Sequence, residues 1–311
     1  MELKGVDMNK TPQKKRMGGF TILELLIALL LSLIVTAGVY TAYISQVKSY
    51  AVQNQVTEMQ QNLRAAMTIM VEEIRITGYD PVRTGLFGIT DIRPRDIADA
   101  VDVTFAGNSA LVRTADDGTG ANTGNGTLDG DETISFSLFD FPVLAPAGFP
   151  DLARNDGSSL NRDDYLLAEN IVALGFAYAF DANNDGRLDT YNGGGNTVVI
   201  WAFDSDGDND LDMNLDTDGD GDIDTDDGPG QGGNGLIAGQ ALADFSGNAI
   251  ADVAPANICA VRIWVLATTR RPDESFTNTK TYVVGKKVIT PNGHYRGRLL
   301  TSIVKCRNMG L

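Results

Sequence analysis

From Phe20 to Val47 the chain is apolar, and Glu24 is its only charged side chain. A run of this length can cross a bilayer, whose hydrocarbon core needs about 20 apolar residues. Beyond Lys48 the pattern becomes amphipathic. Val52, Val56, Met59, Leu63, Met67, Met70 and Ile74 recur at steps of three or four, the helical period. Gln53, Gln60, Gln61, Arg64, Glu72, Glu73 and Arg75 fill the opposite face. No proline interrupts the stretch before Pro81, and Gly78 is placed to cap its end. The pattern predicts one helix of about 57 residues, roughly 85 Å long. Its first half belongs in lipid and its second half on a sheet. The Met and Leu stripe is packing, not a cofactor site.

After Tyr79 the periodicity shortens. Val101–Phe105, Ala110–Ala115, Thr133–Phe139, Ile171–Phe180, Thr197–Phe203, Ala260–Thr269, Thr281–Ile289 and Leu299–Lys305 read as strands, several of them rich in Val, Ile, Phe and Tyr and bounded by Gly, Asn, Asp or Pro. A long helix laid on an antiparallel sheet is an α+β class.

The helix is preceded by Lys14-Lys15-Arg16-Met17-Gly18-Gly19 and opens Phe20-Thr21-Ile22-Leu23-Glu24. A secretory signal is cleaved after its apolar core. Here the glycines precede the core, so cleavage at them would keep the helix. The basic patch, the glycine pair and the acid at the fifth position beyond them resemble the cleavage site of type IV prepilins and pseudopilins. The resemblance implies removal of a leader, residues 1–19, by a membrane peptidase and methylation of Phe20. It also implies a pairing of Glu24 with a neighbouring subunit's amino terminus, which sets register as helices enter a filament. An acid within a membrane helix costs roughly 2.5–3.5 kcal/mol at mid-depth and less near an end. The plain alternative is that Glu24 lies shallow enough to reach the headgroups.

The order of three further segments, Glu73–Tyr79, Val261–Ala267 and Leu299–Asn308, resembles PilW-type minor pilins and the related J-type minor pseudopilins of type II secretion. That resemblance implies a pilin-like fold: residues 20–47 as membrane and filament-core helix, 48–78 as its amphipathic half, and 79–311 as a β-rich domain. The implied partners are other minor and major pilins, the prepilin peptidase, an inner-membrane assembly platform and a tip adhesin. The implied location is a single pass of the inner membrane with a periplasmic domain, then the pilus at the cell surface. The departure from the pattern is a large acidic insertion, residues 181–235.

Three segments of that insertion share one spacing: Asp181, Asn183, Asp185 and Asp189; Asp204, Asp206, Asp208 and Asp212; Asp216, Asp218, Asp220 and Asp224. Oxygen ligands fall at positions 1, 3, 5 and 9. Position 6 is Gly or Asn, and position 8 is Leu188, Leu211 or Ile223. This resembles the calcium loops of EF-hand, dockerin and thrombospondin type-3 modules. Calcium takes six to eight hard oxygen ligands, and alternate carboxylates on a curled loop converge on one point. Only the third loop has an acid at position 12, Asp227. The plain alternative is an acidic linker of low complexity. Asp129-Gly130-Asp131-Glu132 reads as a degenerate further site.

The net charge of −16, or −19 once a leader with five basic and two acidic residues is removed, argues against nucleic acid as a partner. Cys259 and Cys306, an even count, permit a disulfide in an oxidising compartment, the alternative being two separate buried thiols. The single histidine, His294, sits in a turn sequence, and no nucleophile, phosphate-loop or zinc spacing appears. The sequence therefore reads as a non-enzymatic minor pilin that helps initiate or cap a pilus. The alternatives are a minor pseudopilin of type II secretion and a calcium-dependent adhesin at a pilus tip.

Overall fold

A computed structural model describes residues 18–95, 108–109, 111–118, 123–139, 149–155, 166–227, 235–290 and 293–310. The leader up to residue 17 and the strand expected at Val101–Phe105 lie outside these. The helix, α1, runs Ile22–Ile76, 55 residues or roughly 83 Å. The chain divides into a first unit ending at Val52 and a second, Gln53–Leu311. In the first unit the helical residues present their apolar side chains outward, Leu26, Leu30 and Leu33 among them. This helix is long and apolar enough to cross a membrane.

In the second unit Met59, Leu63, Ala66, Met67, Met70 and Ile74 are buried, as the periodicity predicts. The helix stops at Gly78, whose φ of +76° suits glycine; a Cβ there would lie 2.7 Å from the Met309 side chain. The Gly78 amide leaves the helix to donate to the Thr114 carbonyl at 3.0 Å.

Two larger antiparallel sheets form the body of this unit. The first has five strands in the order β1 (Ile89–Asp91), β2 (Leu111–Thr114), β3 (Thr133–Phe139), β4 (Asp151–Asn155) and β5 (Leu166–Ala168). The second comprises β6 (Ile171–Phe180), β7 (Ala202–Phe203), β8 (Met213–Asn214), β9 (Gln240–Ala241), β10 (Ile258–Thr268) and β11 (Gly297–Lys305), ordered β9-β8-β7-β6-β10-β11. All ten residues of β6 are buried, because both faces of this sheet are covered. Val261, Ile263 and Val265 of β10 join the core that holds the helix residues. Trp264 and Leu266, with the opposite parity, join a second core with Trp201, Phe203, Leu215 and Ile223. The acidic insertion thus lies over a packed face.

Two expected strands prove to be broken. Thr197–Phe203 divides into Asn196–Val199, which hairpins with Thr190–Gly193, and β7. Thr281–Ile289 is a hairpin, Tyr282–Val284 with Lys287–Ile289, turning at Gly285. The disulfide is a correction. Cys259 and Cys306 are buried free thiols. The ladder that pairs Ala260 with Lys305 puts them opposite each other, and the Cys306 amide donates to the Cys259 carbonyl at 2.9 Å. The Cys259 thiol instead turns back to the Asn257 carbonyl at 3.4 Å. Burial pushes both thiols up, Cys306 to about 12, so neither is a thiolate at neutral pH.

Candidate functional site: the amino-terminal motif and the acidic loops

At the amino-terminal motif Phe20 is 90% exposed, and among the described residues nothing lies within 4 Å of where a Cβ on Gly18 or Gly19 would sit. Thr21 and Glu24 form a reciprocal cap. The Glu24 carboxylate accepts from the Thr21 amide at 2.9 Å and from its hydroxyl at 3.0 Å, while the Glu24 amide donates to Thr21 Oγ1 at 3.2 Å. This is the Thr-x-x-Glu capping box, which satisfies amides that a helix start leaves orphaned. The Thr21-Ile22-Leu23-Glu24 sequence carries the signal for this cap, a role beyond the assembly and headgroup readings of Glu24.

The three loops fold alike. In each, the carboxylate at position 1 is buried and receives two amides from its own turn. Asp181 accepts from Asp185 at 3.1 Å and Gly186 at 2.8 Å. Asp204 accepts from Gly207 at 2.6 Å and Asn209 at 2.9 Å. Asp216, 0% exposed, accepts from Gly219 and Gly221, both at 2.8 Å. A second carboxylate closes each loop by accepting the amide at position 2: Asp189 from Ala182 at 2.7 Å, Asp212 from Ser205 at 2.8 Å, and Asp227 from Thr217 at 2.6 Å. In the third loop, then, Asp227 takes the part that Asp189 and Asp212 play. Asp224 faces the Asp226 amide instead, at 2.8 Å.

Carboxylate oxygens of Asp204, Asp206 and Asp208 lie within 4.8 Å of one another, as do those of Asp216, Asp218 and Asp227. Asp181, Asp185, Asp189, Asp212, Asp220 and Asp224 lie outside these two groups, and Asn183 spends its oxygen on the Asp185 amide at 2.8 Å. Burial first, then neighbouring carboxylates, raises the pKa of Asp204 and Asp227 against the hydrogen bonds that lower it. Buried charge of one sign is unfavourable unless it is paired or coordinated. The donor set is all hard oxygen, which suits calcium rather than a soft metal.

The position-8 aliphatics anchor the loops. Leu211 and Ile223 are buried in the two cores, and Leu188 packs at the edge of the second. The third loop is held further by a close backbone approach. A Cβ on Gly193 would meet the Gly219 carbonyl oxygen at 2.1 Å, so only glycine lets the neighbouring hairpin close on it. Arg262 of β10 reaches the same loop, 3.8 Å from the Asp222 carboxylate, with its guanidinium over the rings of Trp201 and Trp264.

The fourth acidic segment is arranged differently. Asp129–Glu132 forms a single tight turn in which Glu132 accepts the Asp129 amide at 2.7 Å. Asp116, from the end of β2, accepts from Asn125 at 3.1 Å and Gly126 at 2.8 Å, the same embrace the first aspartate gives in the other loops. Its distance in sequence hid it. Asp116 and Glu132 are both buried, and burial raises the Glu132 pKa.

Comparison with known proteins bears on the amino terminus. The prokaryotic N-terminal methylation motif matches residues 14–40. No curated protein matches the chain. Among solved structures, a type IV-like pilin from Thermus thermophilus matches at 13% identity over 80% of this chain and 97% of its own, with a TM-score of 0.35. The motif match thus assigns an N-terminal methylation signal to residues 14–40.

Proposed function

We propose that the chain is a minor pilin of the PilW type. It would be cut between Gly19 and Phe20, methylated on Phe20, and drawn into a pilus initiation or tip complex by its helix. The observation that carries this reading is the methylation motif at residues 14–40, followed without a break by an exposed apolar helix and then a packed α+β unit. The helix anchors the unassembled subunit in the inner membrane with the β-rich unit on the periplasmic side, since the basic Lys14-Lys15-Arg16 patch favours the cytoplasm. Other pilins and the inner-membrane platform are its partners. Mass spectrometry of membrane or sheared-filament protein tests this. The expected mature chain starts at methyl-Phe20, and Gly19→Val blocks its formation. A chain cut after Ala28 or Ala37, or one still carrying Met1, overturns the reading.

Within that role we infer that calcium stabilises the insertion. The second and third loops are the best equipped to hold it, through Asp204, Asp206 and Asp208 and through Asp216, Asp218 and Asp227. Direct calcium titration by calorimetry decides the point, and absence of binding at millimolar calcium removes it.

A further inference from the structure

Strand β11 is the outer strand of the six-stranded sheet, nine residues long and, among the described residues, paired only with β10. Two hydrogen bonds fix which of its groups face outward. Cys306 donates to Cys259 at 2.9 Å, and Thr269 donates to the Arg296 carbonyl at 3.0 Å. Both lie on opposed pairs of one register, each bonded across the ladder, so the even-numbered residues of β11 bond β10 and the odd-numbered ones point their amides and carbonyls away. At the two ends these outward groups are used. Tyr282 Oη donates to the Gly297 carbonyl at 3.2 Å, and the Arg307 amide donates to the Arg75 carbonyl at 3.2 Å. Between them Leu299, Thr301, Ile303 and Lys305 offer a row of backbone donors and acceptors with no partner among the described residues. Thr301, Ile303 and Lys305 are exposed, Ile303 at 59%.

A row of this kind is a template for another strand, and proteins often blunt it with charge. Here the blunting has one sign. From Arg296 to Arg307 the chain carries four basic residues and no acid, in a protein whose net charge is −16. Arg296 is held by Asp273 at 2.7 Å. Arg298, Lys305 and Arg307 are exposed and make no ion pair among the described residues. Two copies of this edge would bring like charges together, which disfavours self-pairing. An acidic strand meets the opposite situation. Arg298 and Lys305 stand near the two ends of the strand and on opposite faces, framing Thr301 and Ile303.

We propose that the open edge of β11 receives an added strand from an extended segment of another polypeptide, acidic at its ends and β-branched between them. Main-chain bonds to the odd-numbered residues supply affinity, and Arg298 and Lys305 supply selectivity. The proposal stands apart from the pilin reading, since it needs only the edge.

The test uses the full chain in detergent micelles and a capped peptide, Glu-Glu-Val-Thr-Val-Thr-Val-Glu-Glu, with its lysine-for-glutamate counterpart as control. The acidic peptide is expected to bind saturably, more weakly as salt rises, and to slow amide exchange across residues 299–305. The lysine peptide is expected not to bind. Ile303→Pro removes an outward amide while leaving the ladder to β10 whole, and it should abolish binding. The double variant Arg298→Glu, Lys305→Glu should switch preference to the lysine peptide, and it decides the matter if the proline variant does not fold. Three results overturn the proposal: no binding of the acidic peptide, binding that survives in a folded Ile303→Pro protein, or sedimentation showing that the edge is filled by a second copy of the chain.

Discussion

At Glu24 two demands fall on one carboxylate. It closes the capping box with Thr21, and in the proposed assembly it meets a neighbour's amino terminus. Substitutions can separate these roles. Glu24→Gln keeps a side-chain acceptor for the Thr21 amide, so the helix start should persist; only the charge is lost. Incorporation into filaments should then fall as far in Glu24→Gln as in Glu24→Ala, with membrane insertion of both unchanged. If Glu24→Gln assembles normally while Glu24→Ala does not, the cap is the function and the charge is incidental. Asp273 is a second residue with a measurable signature. Hydrogen bonds from the Ser275 hydroxyl and the Arg296 guanidinium hold its carboxyl at about 2, below the ordinary value of 3.8. A depressed folded value means that the stabilisation is complete above the ordinary value and is lost as pH falls toward 2. Proteolysis or amide exchange in residues 269–296 should therefore be flat from neutral pH to about pH 4 and rise steeply below it. Asp273→Asn should show the loosened loop already at neutral pH.

Among the elements, the carboxyl half of α1 and the five-stranded sheet are joined by a partly buried ionic cluster. Arg113 of β2, almost wholly buried, bonds Glu73 of the helix and Asp117 at 3.1 Å, and Arg154 of β4 reaches the other Glu73 oxygen at 2.7 Å. Without Arg113, Glu73 keeps Arg154 and Asp117 is part-exposed, so the cost should fall below the roughly 3–5 kcal/mol of a fully buried pair. Arg113→Met should lower the chemical-denaturation midpoint accordingly, and a shift within error of zero would mean the cluster is dispensable. None of this was legible in the sequence, where Glu73 sat among polar helix positions and Arg113 inside a strand pattern. What could be read were the elements with strong local signals: α1 from its periodicity and its Gly78–Pro81 stop, β3 and β6 from their apolar runs. Short strands such as β1, β4 and β5 left no local pattern, because tertiary neighbours rather than propensity hold them. The loop spacing located the acidic turns, yet it could not say that Asp227 rather than Asp224 closes the third, or that Asp116 joins the fourth from a distance. Both depend on where the backbone returns in space.

For the whole molecule, the insertion concentrates negative charge: twelve aspartates and no Lys or Arg lie between Asp204 and Asp227. A cation that binds only the folded chain stabilises it by RT ln(1 + [L]/Kd), about 1.4 kcal/mol per loop when the free ion is at ten times its Kd. Extracellular calcium modules work near 10⁻⁴–10⁻³ M. The melting temperature of the purified chain should therefore rise between chelator and several millimolar calcium, and much less with magnesium, which demands a tighter octahedral shell. Changing Asp216, Asp218 and Asp227 together to Asn should remove the third loop's share. Equal melting curves in chelator and calcium, with equal protease sensitivity across residues 181–235, would falsify the calcium proposal and leave an acidic but self-supporting insertion.

The protein has only two tryptophans, and both flank the Arg262 side chain that reaches the third loop. An indole's emission responds to charge and polarity beside its ring. Arg262 faces the Asp222 carboxylate at 3.8 Å, so any ion that changes the field of that loop changes what both rings sense. The molecule therefore carries its own optical probe at that loop. Calcium added to the unlabelled chain should shift its tryptophan fluorescence with the same midpoint as the thermal stabilisation. Arg262→Met should uncouple the two, leaving the stabilisation while flattening the optical signal.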